Sequence, residues 1–175
     1  MRITPISTDW PDTETAALNH ALQELSSWVE RLPEPVLNQV PDQGGWTVAQ
    51  IVMHLLHSYA WILKTVHETG VPAQRFPDER IPELAAIMLN PDSRLQAPEQ
   101  LQPEHKYCDK AMLLRMLQNA VTQLREVQET LPYDEVCPHP LLGATTRLEQ
   151  LAFAGLHTRR HLWQIARTVP GVFNV

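Results

Sequence analysis

Residues 46–66, WTVAQIVMHLLHSYAWILKTV, decide how the rest of the chain is read. Thr47 followed by Gln50 is a capping-box pattern, and Trp46 and Ile51 flank it as a hydrophobic staple, so a helix starts here. Val48, Ile51, Val52, Leu55, Tyr59, Ile62, Leu63 and Val66 recur at three-and-four spacing, which gives that helix one apolar stripe to bury. Gly70 and Pro72 stop it.

Three other segments share this pattern. A first helix begins near Asp12 or Thr13, carries Leu18, Ala21, Leu22, Leu25, Trp28, Val29 and Leu32 inward, and is ended by Pro33 and Pro35. A third runs from about Asp109 to Leu131 with Leu113, Leu114, Leu117, Ala120, Val121, Leu124 and Val127 facing inward, before Pro132. The fourth opens on a second capping box, Thr146 with Glu149, and reaches about Arg167 ahead of Pro170 and Gly171. Between Gly70 and Cys108 stand six prolines and one short helical candidate, Pro82 to Leu89, so this stretch is a long connection of the kind that carries function or topology. Residues 133–145, YDEVCPHPLLGAT, read as a loop.

Four amphipathic helices with no convincing strand predict an all-α four-helix bundle, one domain over residues 1–175. The links between the first and second helices and between the third and fourth suit antiparallel neighbours. The long connection between the second and third can carry the chain back along the bundle, which predicts up-down-down-up order. The second and fourth helices then bring opposite halves of the chain to one place.

Composition narrows the function classes. A hydrophobic fraction of 43% in 175 residues is enough for a real core. The net charge of -6, from 14 basic and 20 acidic residues without long like-charge runs, leaves no basic face to follow a phosphate backbone, so nucleic acid is not an expected partner. The N-terminal MRITPISTDWPD lacks the apolar core of a signal peptide, and no apolar run approaches the roughly 20 residues that cross a bilayer. A soluble, cytoplasmic protein is expected, with no membrane partner. Cys108 and Cys137 are separated mainly by a helix about 33 Å long, so they read as reduced thiols rather than a disulfide. Cys137-Pro-His139 has metal-ligating residue types, but a plain loop is the favoured reading.

Of the eight histidines, His157 and His161 stand apart. One turn separates them, so both rings project from one helix face about 5 to 6 Å apart at Cβ, which suits two ligands on one ion. Such spacing is common by chance. The environment changes the reading, because LEQLAFAGLH surrounds them with apolar residues, as in a buried helix. Buried imidazoles stay neutral and need either a metal or specific hydrogen bonds. No HExxH glutamate lies between them, which removes the zinc-protease reading. Helix two offers His54, near the margin of its apolar stripe, as third ligand, while His57 lies opposite the stripe and reads as solvated or loop-facing.

The segments GGWTVAQIVMHL at the start of helix two and HTRRHLWQI in helix four resemble the DinB/YfiT-like superfamily over most of the chain. In that family a metal-ligating histidine follows the capped tryptophan by eight residues, which here is His54, and the H-x-x-x-H pair is His157 and His161. The resemblance implies an up-down-down-up bundle and a metal site. Members are similar to metal-dependent transferases that use bacillithiol, mycothiol or a glutathione-like thiol, and others are similar to hydrolases.

Three neutral histidines would leave a divalent ion, zinc, nickel or iron, with an open position for water or a low-molecular-weight thiol. A small-molecule substrate is the implied partner. Gln164, one turn beyond Arg160 and His161, is the candidate hydrogen-bond partner of a ligand, and Arg160 has the forked geometry to hold an anionic group, with a surface ion pair as its ordinary alternative. Because no general acid or base is evident near the triad, a metal- or ligand-binding, stress-related bundle without catalysis is the second reading. A homodimer is compatible with so small a bundle, although no residue here requires it.

Overall fold

The two capping boxes form as the sequence predicts and start the two helices that matter most. In the computed structural model, which describes residues 10–93 and 95–169, Thr47 accepts from the Gln50 amide at the head of α3 (Val48–Val66). Thr146 accepts from the Glu149 amide at the head of α6 (Arg147–Thr168). Four further helices are α1 (Trp10–Arg31), α2 (Glu34–Leu37), α4 (Ile81–Met88) and α5 (Lys110–Thr130), and a 3-10 turn spans Glu99–Leu101. The N-terminal residues 1–9 and the proposed stop at Pro170 and Gly171 lie outside the described residues. None of the described helices is long and apolar enough to cross a membrane.

α1, α3, α5 and α6 enclose one core, and every stripe position named from the sequence is buried except Trp28, Leu63 and Leu114, which are half-buried. Side-chain bonds give the helix directions. Tyr59 pairs with Thr158 and Thr65 donates to Gln150, each at 2.5 Å, so α3 runs antiparallel to α6. Asn19 donates to Gln128, and the Lys110 ammonium donates to the carbonyls of Glu30 and Leu32, so α1 runs antiparallel to α5.

Two expectations are corrected. The helices expected to be antiparallel neighbours, α1 with α3 and α5 with α6, are not lateral neighbours, since α1 packs against α5 and α6 and α3 packs against the same two. The links, residues 32–47 and 131–146, are long enough to cross the bundle diagonally. Gly155 lets α1 and α6 approach, because a Cβ there would stand 3.2 Å from the Leu18 Cα.

The second correction concerns the strands. β1 (Val71–Pro72), β2 (Glu135–His139) and β3 (Gly143–Thr146) form an antiparallel sheet in the order β1-β2-β3, so most of the presumed loop YDEVCPHPLLGAT is a hairpin. Pro138 hides it from a sequence reading. β1 pairs only with Val136 and Glu135, so at Pro138 the far side of β2 has no strand to bond and the missing N–H is tolerated. Gly143, at φ 70°, supplies the left-handed residue of the turn.

The long connection is tied down at Glu149, whose side chain is fully buried. Arg75 donates to both carboxylate oxygens at 2.5 and 2.7 Å, and the amides of Arg80 and Thr146 add bonds of 2.9 Å each. Burial pushes this carboxyl up, but the Arg75 guanidinium and the two amides outweigh it and hold the pKa below the usual value. Arg75 is itself partly exposed, so loss of Glu149 removes the α6 cap and its hydrogen bonds but leaves Arg75 within reach of solvent. Glu149→Ala should therefore lower unfolding stability by about 1–3 kcal/mol in urea titration. Glu104→Ala, whose bridge to Lys106 is exposed, should be close to neutral by the same measurement.

Candidate metal centre

The α3 capping box fixes where that helix begins and so where His54 stands, two turns in. The antiparallel α6 brings His157 and His161 opposite it, and all three are buried, at 4%, 8% and 8% exposure. Their Nε2 atoms converge. His157 Nε2 lies 3.1 Å from that of His54 and 3.0 Å from that of His161, and one ligand atom from each of the three falls within 4.8 Å of the others.

The opposite nitrogens are all engaged. His54 Nδ1 stands 2.8 Å from the Leu101 carbonyl, His157 Nδ1 3.2 Å from Ser58 Oγ, and His161 Nδ1 2.9 Å from Gln164 Oε1. A carbonyl only accepts, so His54 carries its proton on Nδ1 and presents a lone pair at Nε2; the amide oxygen of Gln164 imposes the same tautomer on His161. If His157 used Ser58 as donor and kept its own proton on Nε2, that N–H would reach one neighbour and not both. At least one lone pair therefore faces the cluster unmet.

Protons do not resolve this. Burial, with His54 and Arg160 adding to it, pushes His161 down to about 3. Burial and then the neighbouring histidines hold His157 well below its ordinary value, and burial also lowers His54. Neutral imidazoles with converging lone pairs, each oriented through its other nitrogen, are the donor set of a metal site. Nitrogens bound to one ion at about 2.0–2.1 Å in cis positions stand about 3 Å apart, as His157 Nε2 does from those of His54 and His161. The residues fit a divalent ion.

Beside the cluster lies a cavity of about 690 Å³, within the usual range for a small-molecule site. Its walls come from α3 and α6, from the hairpin, and from residues 95–102 of the long connection. Trp46, the staple residue, closes one side of the cluster with its ring centroid 5.0 Å from His54 and 6.4 Å from His161. Phe153 stacks on His157 at 5.3 Å.

The sequence model of the DinB superfamily matches residues 17–165. This chain belongs to the DinB superfamily. Within it, the uncharacterized protein YuaE of Bacillus subtilis (strain 168) is 25% identical over 154 residues, covering 84% of this chain and 91% of YuaE. The solved structure of YfiT from Bacillus subtilis superposes with a TM-score of 0.57 at 21% identity, covering 95% of this chain and 91% of that one. YfiT is described as "a probable metal-dependent hydrolase with an unusual four-helix bundle topology". At that identity the likeness shows a shared fold.

The remaining sequence candidates fall as follows. Gln164 meets His161 directly. Arg160 lines the cavity, but its guanidinium donates to the carbonyls of Met88, Asn90 and Ser93 and to Ser93 Oγ, so it clamps the long connection to α6 and makes no surface ion pair among the described residues. His57 is half-buried with an unpartnered Nδ1 and stands outside the cluster. Cys108 and Cys137 are free, buried thiols, and Cys137-Pro-His139 joins no ligand cluster among the described residues. Sequence reasoning missed Ser58 and Leu101. Ser58 was within reach, four residues after His54 on the same face, whereas a backbone carbonyl leaves no trace in a sequence.

These depressed pKa values set an acid response for the metal-free protein. Below the ordinary histidine value of 6.5 the unfolded chain takes up protons that the folded cluster refuses, so acid favours unfolding. Stability should be full above about pH 6.5 and decline steadily towards about 3, where His161 accepts its proton in the folded state. Urea midpoints of chelator-treated protein at several pH values should show this slope, shallower in a variant with all three histidines changed to Gln.

Proposed function

We propose that this chain is a metal-dependent enzyme that acts on a small molecule, as a thiol S-transferase or as a hydrolase. The observation that carries the reading is the buried convergence of three imidazole Nε2 atoms on the wall of a cavity large enough for a substrate. YfiT, of the same fold and described as "a probable metal-dependent hydrolase", supports it. The family's up-down-down-up order belongs to the same reading, supported by the antiparallel pairs α3 with α6 and α1 with α5.

His54, His157 and His161 would hold the ion. When bound, a divalent ion supplies Lewis acidity that makes an entering thiol or water acidic near neutral pH. The protein's own residues do the rest. Leu101, Ser58 and Gln164 fix the three rings through Nδ1, and the carbonyl oxygens of Leu101 and Gln164 keep Nε2 of His54 and His161 free of protons. Trp46 and Phe153 keep bulk water off the cluster. Arg160 holds residues 88–93 against α6 and so keeps the cavity wall in place. In the transferase reaction the thiolate sulfur bonds to the electrophilic carbon, the leaving group departs as an anion, and the thiol proton passes to solvent.

Zinc-treated protein should accelerate conjugation of bacillithiol or glutathione to 1-chloro-2,4-dinitrobenzene, or hydrolyse 4-nitrophenyl acetate without thiol, and His54→Ala should abolish whichever activity appears. Activity with neither probe, with zinc bound, would favour a bundle that binds metal without catalysis. Ser58→Ala and Gln164→Ala should each weaken zinc binding by about 10- to 100-fold in competition with a chromogenic chelator.

A further inference from the structure

The far end of the cavity holds a histidine that the metal centre does not use. His139, at the end of β2, is 4% exposed and lines the cavity on the hairpin side. Its Nδ1 accepts the amides of Leu141 and Leu142 at 3.1 and 3.2 Å. Backbone amides only donate, so Nδ1 bears a lone pair and, in the neutral ring, the proton sits on Nε2. No protein acceptor meets that Nε2–H among the described residues. The ring is near both Trp61 and Phe153, each with its centroid 6.4 Å away, and Phe153 in turn stacks on His157.

We infer that His139 is the second polar anchor of the cavity, a fixed hydrogen-bond donor that holds an uncharged oxygen acceptor on an aromatic end of the substrate while the substrate's other end lies at the histidine cluster. This rests on the reading of the cavity as the substrate site. Three features select the substrate class. Among the described residues, the hairpin side of the cavity, lined by Trp61, His139, Leu141, Leu142 and Phe153, carries no charged side chain, so an ionic group at that end of the substrate has no counter-charge. Trp61 and Phe153 place aromatic rings on the cavity wall with centroids 6.4 Å from His139. The donor is directional and preset by the hairpin turn, so it discriminates an acceptor oxygen from a methylene at the same place. Burial also lowers the His139 pKa, which keeps the ring in its neutral, donating form at pH 7.

The test compares acetophenone with ethylbenzene, two probes that differ at a carbonyl oxygen, on the full chain treated with zinc. Long-range proton–nitrogen spectra should show His139 as the Nε2–H tautomer, with its Hε2 resonance moved by acetophenone and not by ethylbenzene. Acetophenone should bind about fivefold more tightly, the ratio one neutral hydrogen bond gives. His139→Asn keeps an acceptor where Nδ1 serves the turn but has no donor at Nε2, so it should keep the hairpin and lose the preference. His139→Gln, which reaches the Nε2 position, should recover part of it. An Nδ1–H tautomer, equal binding of the two probes, or an undiminished preference in His139→Asn would overturn the inference. Zinc stoichiometry in the same samples separates the two claims: zinc bound without the oxygen preference removes only the His139 role, and the preference without zinc removes only the metal-dependent function.

Discussion

Three buried neutral imidazoles converge through Nε2 with too few protons to satisfy every lone pair there, and the rest of the structure is arranged to hold them so. Each ring is oriented from behind, by a carbonyl of the long connection, a serine of α3 and an amide of α6. Both helices are in turn started by capping boxes and stitched together by Tyr59 with Thr158 and Thr65 with Gln150. Rigidity of this kind is what a metal site requires of its protein, since ligands that could relax apart would not be held for the ion.

The same constraint accounts for the long connection. Residues 71–109 close the bundle on one side, but they do more than return the chain. Leu101 supplies the carbonyl behind His54, and residues 95–102 wall the cavity. The segment is held in place by two arginines at different points: Arg75 runs from it to the buried Glu149, and Arg160 reaches into it from α6. A chain this rich in proline stays in one conformation because charged side chains bind its carbonyls or are anchored by it, with little regular secondary structure to help.

Much of this was legible in the residues, because helix starts and stripes are local signals. Thr47 with Gln50 and Thr146 with Glu149 marked the two helices of the site, and the apolar stripes marked the faces they bury. The pairing of His54 with His157 and His161 followed from helix-wheel position together with the family resemblance. What stayed hidden was non-local. The hairpin was masked by Pro138 and by strands of five and four residues, too short for alternation to show. The diagonal placement of α1 and α3, and of α5 and α6, depends on how two links cross the bundle, which spacing does not encode. Arg160 has the residue type of an anion clamp, yet backbone carbonyls of a segment seventy residues away in sequence occupy it, and no pattern within either segment announces that meeting.

The central claim is that His54, His157 and His161 form a metal site, and elemental analysis of protein purified without a histidine tag tests it most directly. The wild type should carry zinc, nickel or iron at close to one ion per chain, and a His157→Ala, His161→Ala double variant that remains folded should carry none. Metal absent from both after reconstitution, or retained in full by the variant, would contradict the account.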